Sequence, residues 1–311
     1  MNLTIDATYN ATVPAFYLVL SLLVMSANGI VVAVVVKTRH LHLPTLWMIT
    51  WMAACDFCMG AHIFIFSVPS AFLGRFAYQQ ALIGFSSCCL TFLVGQSVLN
   101  VAMVVVDRYI AVFWPLRYIH IVTMKRLMMA IAITLVLSVT RMILSALLDN
   151  DFYYNINIAV CIADFDSVEA VAASVGIPLL TLVVILFCFT RILLHVQQRR
   201  KDVTPTGRLL RPEGFMKCPI MVLFSAGLFC VSYIPFVLGI ILSFLKGKEN
   251  VPERFQNVIM FGVLSNSLWN VLIYTATYRP FREALTYILC RTYHRKKRLE
   301  EIRTMLSIQE C

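Results

Sequence analysis

Apolar residues fall in seven long stretches, at approximately 14–36, 46–68, 84–106, 127–148, 170–196, 218–245 and 255–278. Each is near the roughly 20 apolar residues with which a helix crosses a bilayer. In lipid every backbone N–H and C=O must be satisfied within its own segment, so the stretches are predicted to be helices. The intervals between them are short, and no internal repeat is visible. The pattern predicts one all-α membrane domain, a bundle of seven transmembrane helices over 14–278. Residues 1–13 precede it and 279–311 follow it. Past the last stretch, Tyr278, Phe281, Leu285, Ile288 and Leu289 recur at helical spacing among Arg279, Arg282, Arg291 and the run Arg295 to Arg298. That pattern predicts a short amphipathic C-terminal helix on the membrane surface.

Composition agrees with this reading. The 311 residues are 60% hydrophobic and 14% charged, against about 45–50% and 25% in soluble domains. A buried core in a large soluble protein is a poor alternative. The formal charge of +10 raises nucleic acid as a partner, but its distribution argues otherwise. With the N-terminus outside, the Lys and Arg fall on the inner side, except Arg75, Lys246, Lys248 and Arg254 outside and Arg141 within the fourth stretch. This is the positive-inside bias of a multi-pass membrane protein. Asn2-Leu3-Thr4 and Asn10-Ala11-Thr12 are glycosylation sequons, usable only on the lumenal side, and they give the same orientation. No basic stretch precedes an apolar core at the start, so no cleaved signal peptide is expected.

Few polar groups interrupt the apolar stretches, and each is a candidate site. Charge in the bilayer core is costly and marks function by default. Asn28 lies mid-way in the first stretch, Asp56 in the second, and Asn266, Ser267 and Asn270 in the seventh, where they share a face. Ser97 precedes Arg108 by 11 residues, three helical turns on one face. A structural hydrogen bond between helices is the plainer reading of Asp56. The third stretch closes with Asp107-Arg108-Tyr109, followed by Phe113-Trp114-Pro115-Leu116-Arg117-Tyr118.

Seven spans, an outside N-terminus and this triplet resemble the rhodopsin-like (class A) G-protein-coupled receptors. The resemblance runs from about residue 14 to 290. It implies a receptor, not an enzyme, that binds a ligand from outside and activates a heterotrimeric G protein. Arg108 would pair with Asp107 at rest and turn to the G protein on activation. Leu116 would enter a G-protein pocket. Asn270 and Tyr274 match the polar members of the family's Asn-Pro-x-x-Tyr, with Val271 in place of proline. Phe229 and Pro235 match Phe-x-x-Cys-Trp-x-Pro, with Ser232 and Tyr233 replacing Cys and Trp. Pro178, Val98 and Phe229 fit the family's packing switch. The resemblance also implies an allosteric sodium ion at Asp56, Ser97, Asn266, Ser267 and Asn270, with water alone as the rival, and no other cofactor. Hard cations want oxygen ligands of these types. Cys290 is a palmitoylation candidate. Two departures point to raised basal activity: Phe215 stands at the position of a common acidic partner for Arg108, and Leu186 at that of an activation tyrosine.

The family's outer disulfide would use Cys161 in the second outer loop. Twenty-five residues before Arg108 stands Ile83 rather than Cys, so Cys88 is the candidate partner, and a free Cys161 remains open. Leu90 stands where amine receptors carry Asp, and Leu264 where opsins carry the retinal lysine. Thr91, Val94, Phe236, Val237, Ile240 and Met260 would line an apolar pocket, with His62 and Arg141 as polar anchors. A ligand carboxylate, or Asp164, Asp166 or Glu169, would pair with Arg141, or it is a satisfied structural residue. The expected partners are therefore a small apolar ligand, a G protein and the plasma-membrane bilayer, with no nucleic acid.

Leu41-His42-Leu43-Pro44, and Asp107 to Val112 with Pro115 to Tyr118 and Thr123, resemble odorant receptors more narrowly. The expected function is a chemosensory receptor. A receptor for an endogenous lipid or metabolite, a peptide receptor and a constitutively active orphan are the alternatives. A transporter is remote, because only Asp56 and Arg141 lie deep and no repeat symmetry exists. Six histidines are scattered, His40 and His42 in the first inner loop have no carboxylate partner, and there is no glycine-rich phosphate loop or paired intramembrane carboxylate, so nothing points to an enzyme.

Overall fold

The computed structural model describes residues 2–38, 43–148, 151–163, 167–201, 213–247, 250–277, 281–283 and 285–286. The side chains of 2–11, 196, 199–201, 213–223, 225–226, 253, 274 and 277 lie outside that description. The main elements are α1 (Asn2–Lys37), α2 (Pro44–His62), α3 (Val68–Leu73), α4 (Leu82–Phe113), α5 (Tyr118–Ile121), α6 (Met124–Leu148), β1 (Phe152–Asn155), β2 (Val160–Ala163), α7 (Val168–Lys201), α8 (Glu213–Lys246) and α9 (Glu253–Thr277). The seven long helices occupy the seven predicted stretches. Among the described residues, six are long and apolar enough to cross a membrane. The last of the seven, α9, has 25 residues and buries Asn257, Asn266, Ser267 and Asn270.

The second span is one path from Pro44 to Leu73 with a π-helical turn at Ile63–Ser67. Pro44 opens α2 after Leu43 in extended conformation, as a residue before proline prefers. Pro69 lacks the N–H that would reach the Ile65 carbonyl, and the wide turn absorbs the misfit. The Tyr78 hydroxyl donates to that same carbonyl at 2.6 Å. Gly74, at φ 60°, ends the helix in the left-handed conformation.

Helix α4 is the hub, packing against α2, α6, α7 and α8. Its helix does not stop at residue 106 but continues through the Asp-Arg-Tyr triplet to Phe113. Charge ends an apolar run without ending backbone hydrogen bonding. The core runs along the bundle axis through Val94, Val98, Val101 and Val105 of α4, with Ile185, Phe229, Tyr233 and Leu264 around them. The outward faces stay apolar, as at Leu22, Val136, Leu180 and Val231, where lipid rather than protein covers them.

The all-α architecture carries one short strand pair among the described residues. The second outer loop holds an antiparallel hairpin pairing Phe152 with Ala163, Tyr153 with Ile162, Tyr154 with Cys161 and Asn155 with Val160. Its turn carries Ala159 at φ 48°, and the Asn155 side chain accepts from the Asn157 N–H at 3.0 Å. Ile158, Ala159 and Val160 are buried. The Tyr17 hydroxyl of α1 donates to the Ile158 carbonyl, and Asn155 donates to Gln256 of α9 at 3.1 Å. These ties press the hairpin into the mouth of the bundle. Beyond α9, the backbone is helical at 281–283 and 285–286. Phe281 is buried against the cluster of Val31, Leu46 and Ile49, with Leu285 packed on it, which is the start of the predicted surface helix.

Candidate functional site

Three groups of residues stack along α4. The outermost is a cavity of about 720 Å³. Its floor and sides take Leu90, Thr91 and Val94 from α4, Arg141 from α6, Ser174 from α7, Phe236 and Ile240 from α8, and Ile259, Met260 and Val263 from α9. The hairpin roofs it with residues Tyr153 to Ile158 and Cys161 to Ala163. Of the eight residues predicted to line a pocket, six do. Val237 packs instead against Val175 and Ile240. His62 turns away to α4, its Nε2 lying 3.0 Å from the Ser86 carbonyl and 3.2 Å from Ser86 Oγ. It is a tie between helices, not a ligand anchor, because the ring stacks on Phe66 one turn above its own backbone. The roof was missed from sequence, and it adds the polar groups of Tyr153, Tyr154, Asn155 and Asn157 to the cavity lining.

Arg141 is 5% exposed in spite of its charge. Its Nη1 donates to the Thr91 carbonyl at 2.6 Å. Gly95 lets it pass: a Cβ there would lie 3.4 Å from Nη1 and 3.3 Å from Ser138 Oγ. Gln96 fastens the same two helices, donating to the Thr134 carbonyl at 2.9 Å and to Ser138 Oγ at 3.0 Å. Of the carboxylates considered as its partners, Glu169 is exposed, and Asp164 and Asp166 lie outside the described residues.

The expected disulfide does not form: Cys161 is a free, buried thiol. Cys88 stands two residues further along α4, about 200° round the helix from Ser86, so its side chain does not face the hairpin. Burial pushes the Cys161 thiol up to about 11 and the Tyr154 phenol to about 12.

The middle group surrounds Asp56. Ser267 Oγ donates to Asp56 Oδ1 at 2.7 Å, Asn270 Nδ2 to Oδ2 at 3.1 Å, and Asn266 Nδ2 approaches Ser97 Oγ at 3.4 Å. All five residues are buried. Asn28 Nδ2 donates to the Val24 carbonyl at 2.9 Å and the Ser267 carbonyl at 3.2 Å, holding α1 to α9. Tyr233 stacks on Phe229 with centroids 4.5 Å apart. Its hydroxyl points towards Ser97 without reaching hydrogen-bond geometry. Pro178 and Pro235 lie inside α7 and α8, where each removes a donor from the helix.

The innermost group is the triplet. The Arg108 guanidinium pairs with Asp107 on its own helix. Asp107 Oδ1 also accepts from the Tyr118 hydroxyl at 2.7 Å, which lies 2.6 Å from Thr45 Oγ1 of α2. Burial pushes the Tyr118 phenol up, and Asp107 adds to it, so it stays a donor. Tyr118 was visible in the sequence only as part of a motif, and its bond to Asp107 was missed. Tyr109 packs on Phe113, Trp114 and Phe187. Leu116 is 91% exposed. The side chains of Asn2, Asn10, Phe215 and Tyr274, and all of Cys290, lie outside the description.

Comparison with known proteins agrees with this architecture. The chain is 24% identical over 296 residues to the histamine H2 receptor of Cavia porcellus, covering 91% of the chain and 80% of that receptor. Trace amine-associated receptor 1 of Mus musculus is 24% identical, with 88% of each chain covered. Melanocortin receptor 5 of Rattus norvegicus is 24% identical over 88% of this chain and 83% of its own. Squid rhodopsin has the same fold, with a TM-score of 0.76 at 19% identity over 92% of this chain and 87% of that one. Residues 27–274 match the 7 transmembrane receptor (rhodopsin family), a range that spans all seven helices, and the chain therefore belongs to the rhodopsin-like G-protein-coupled receptors, a family of receptors and not of enzymes.

Proposed function

We propose that this receptor lies in the plasma membrane with its N-terminus outside. It takes a small, largely apolar ligand into the cavity under the hairpin, and it engages its G protein through Asp107, Arg108, Tyr109 and Leu116. One observation carries the reading. A single helix, α4, lines the cavity with Leu90, Thr91 and Val94, supplies Ser97 to the buried polar group, and ends in the Asp107–Arg108 pair. A ligand that favours one packing of α4 against α8 therefore biases the inner end as well. Tyr233, Phe229, Pro235, Pro178, Asn270 and Tyr274 are the intervening parts.

Residues 1–13 form the outer segment, glycosylated at Asn2 and Asn10. Residues 279–311 form the inner surface helix and basic tail, with a palmitoyl group on Cys290. Asp56, Ser97, Asn266, Ser267 and Asn270 suit a sodium ion, because a carboxylate and two hydroxyls lie among amide groups within hydrogen-bond reach of one another. The ion would weight the resting packing.

The ligand class is read from the cavity. Relatives are named for histamine, trace amines and melanocortins. The cavity argues against an amine, since Leu90 fills the position of the amine-binding acid and no carboxylate is among the described lining residues. A chemosensory role rests on the odorant-receptor-like stretches at 41–44 and 107–123. The apolar wall of α8 and α9 favours an endogenous lipid or metabolite as the second reading.

The test is Arg108→Ala in cells with surface expression measured alongside. Loss of ligand-stimulated G-protein recruitment at normal surface level is expected. Intact signalling would remove Arg108 from the role given to it.

A further inference from the structure

No covalent bond holds the roof of the cavity. The hairpin consists of four residue pairs, and two strands by themselves are marginal in water. Cys161, the one cysteine between α6 and α7, is a free thiol. The hairpin therefore keeps its place through its contacts with the bundle. At its tip the Tyr17 hydroxyl of α1 donates to the Ile158 carbonyl. At the end of β1, Asn155 Nδ2 donates to Gln256 Oε1 of α9 at 3.1 Å, and Gln256 Nε2 is itself fixed on the Val251 carbonyl at 3.0 Å. The tip is also strained. Ala159 is 1% exposed and sits at φ 48°, a left-handed conformation that costs a residue with a Cβ and persists where its surroundings impose it. The Tyr17 bond is to the carbonyl of the peptide directly before Ala159, so it pins the plane from which that φ is measured.

We propose that the hairpin is a latched lid over the ligand cavity, with Tyr17 and Gln256 as its two latches, and that a ligand enters when both release. A solute from outside meets the hairpin before the cavity, because Tyr153 to Ile158 and Cys161 to Ala163 roof it. Closing seats Ile158, Ala159 and Val160 in the core and makes the two ties. Opening gives these up, relieves Ala159 and frees the outer ends of α1 and α9 from their common anchor. Hydrogen bonds of this kind each weigh an equilibrium by a factor of about 2–10, so the two latches together decide how rarely the lid stands open. The lid presupposes the cavity as the ligand site, whereas its test needs no ligand, so either reading can fail alone.

The experiment follows the labelling of Cys161 by methyl methanethiosulfonate in the full-length receptor in lipid nanodiscs, read residue by residue by mass spectrometry. Cys161 is 3% exposed and lies on the cavity side of the roof, so it reacts through the open lid. At low reagent concentration the rate follows the open fraction. Tyr17→Phe removes the donor at the tip and keeps the ring. Gln256→Leu removes the second latch at nearly constant volume. Each is expected to speed labelling about 2- to 10-fold, and the two together about 4- to 100-fold. Cys188, buried in α7, is the reference, and its labelling should not change. If Tyr17→Phe fails to fold, Gln256→Leu decides alone. Labelling of Cys161 as slow in the latch variants as in the wild type overturns the lid. Acceleration of Cys188 in step with Cys161 overturns it as well, because the opening is then that of the whole bundle. Neither result touches the cavity reading, which stands or falls on ligand-stimulated signalling.

Discussion

Replacing Asp107 by Asn isolates the charge that holds Arg108. The amide keeps the volume of the carboxylate, and its oxygen can still accept from Tyr118, which donates to Asp107 Oδ1 at 2.7 Å in the native receptor. The loop that carries Tyr118 is therefore expected to stay in place. What is lost is the ion pair. Asp107 and Arg108 are 5% and 13% exposed, so the exposed-pair value of about 0–1 kcal/mol is too small. The roughly 3–5 kcal/mol for breaking a buried pair is too large for a group at the inner mouth of the bundle. A value of about 2–3 kcal/mol follows, a factor of roughly 30–150 in equilibrium. If the pair forms only at rest, a receptor about 1% active becomes about 25–60% active without ligand. The assay is basal G-protein activation at matched surface expression, the wild type in parallel. Basal output no higher in Asp107→Asn than in the wild type would refute the idea that this pair restrains Arg108. Elevated output already in the wild type is expected as well, given Phe215 and Leu186. Leu186 is 45% exposed, facing outward.

Phe229→Ala should lower the Tm and cost about 3 kcal/mol, since the ring is 1% exposed and stacks on Tyr233. The low end of the usual range applies because separated helices stay in lipid; an unchanged Tm would count against the packing. Asp56→Asn should make agonist affinity insensitive to exchange of NaCl for KCl, and a persistent difference would place sodium elsewhere. Cys161→Ser should leave surface expression normal, whereas a structural disulfide would make it fall. The Cys161 thiol has a raised pKa, so the fold gains from the neutral form below the ordinary value of 9.0 and loses that gain as pH rises towards about 11. Maleimide labelling of Cys161 should accordingly be slow in the folded receptor at neutral pH and fast once it is unfolded.

The helices were legible because the bilayer imposes a one-dimensional constraint. Length of apolar run alone locates a span, and each stretch lies within its helix to within a few residues. Where prediction stopped short, the cause was local. The third stretch was ended at Asp107, although a charge near the membrane surface costs the helix little, and α4 continues to Phe113. The hairpin was illegible for a different reason. Phe152 to Ala163 has no strong alternation, and its strands are held by neighbours distant in sequence, Tyr17 and Gln256.

The same contrast separates the polar residues. Asp56, Ser97, Asn266, Ser267 and Asn270 stood out because a polar group in an apolar stretch must find a partner inside the bundle, and few others were there to serve. Partner choice was therefore almost forced, and hydrogen bonds join Asp56 to Ser267 and Asn270, and Asn266 to Ser97. His62 satisfied the same premise and was misassigned. Its partner is the backbone and hydroxyl of Ser86, and a serine carbonyl leaves no mark in a sequence. Arg141 falls between the two cases. Its depth and cost were plain, but the Thr91 carbonyl and the glycine gap that admit it depend on the approach of α6 to α4. The small residues Gly95 and Ser97 flanking Gln96 were the available signal. It marks where two helices come close, and a long cation placed opposite such a gap is directed through it into whatever cavity lies beyond.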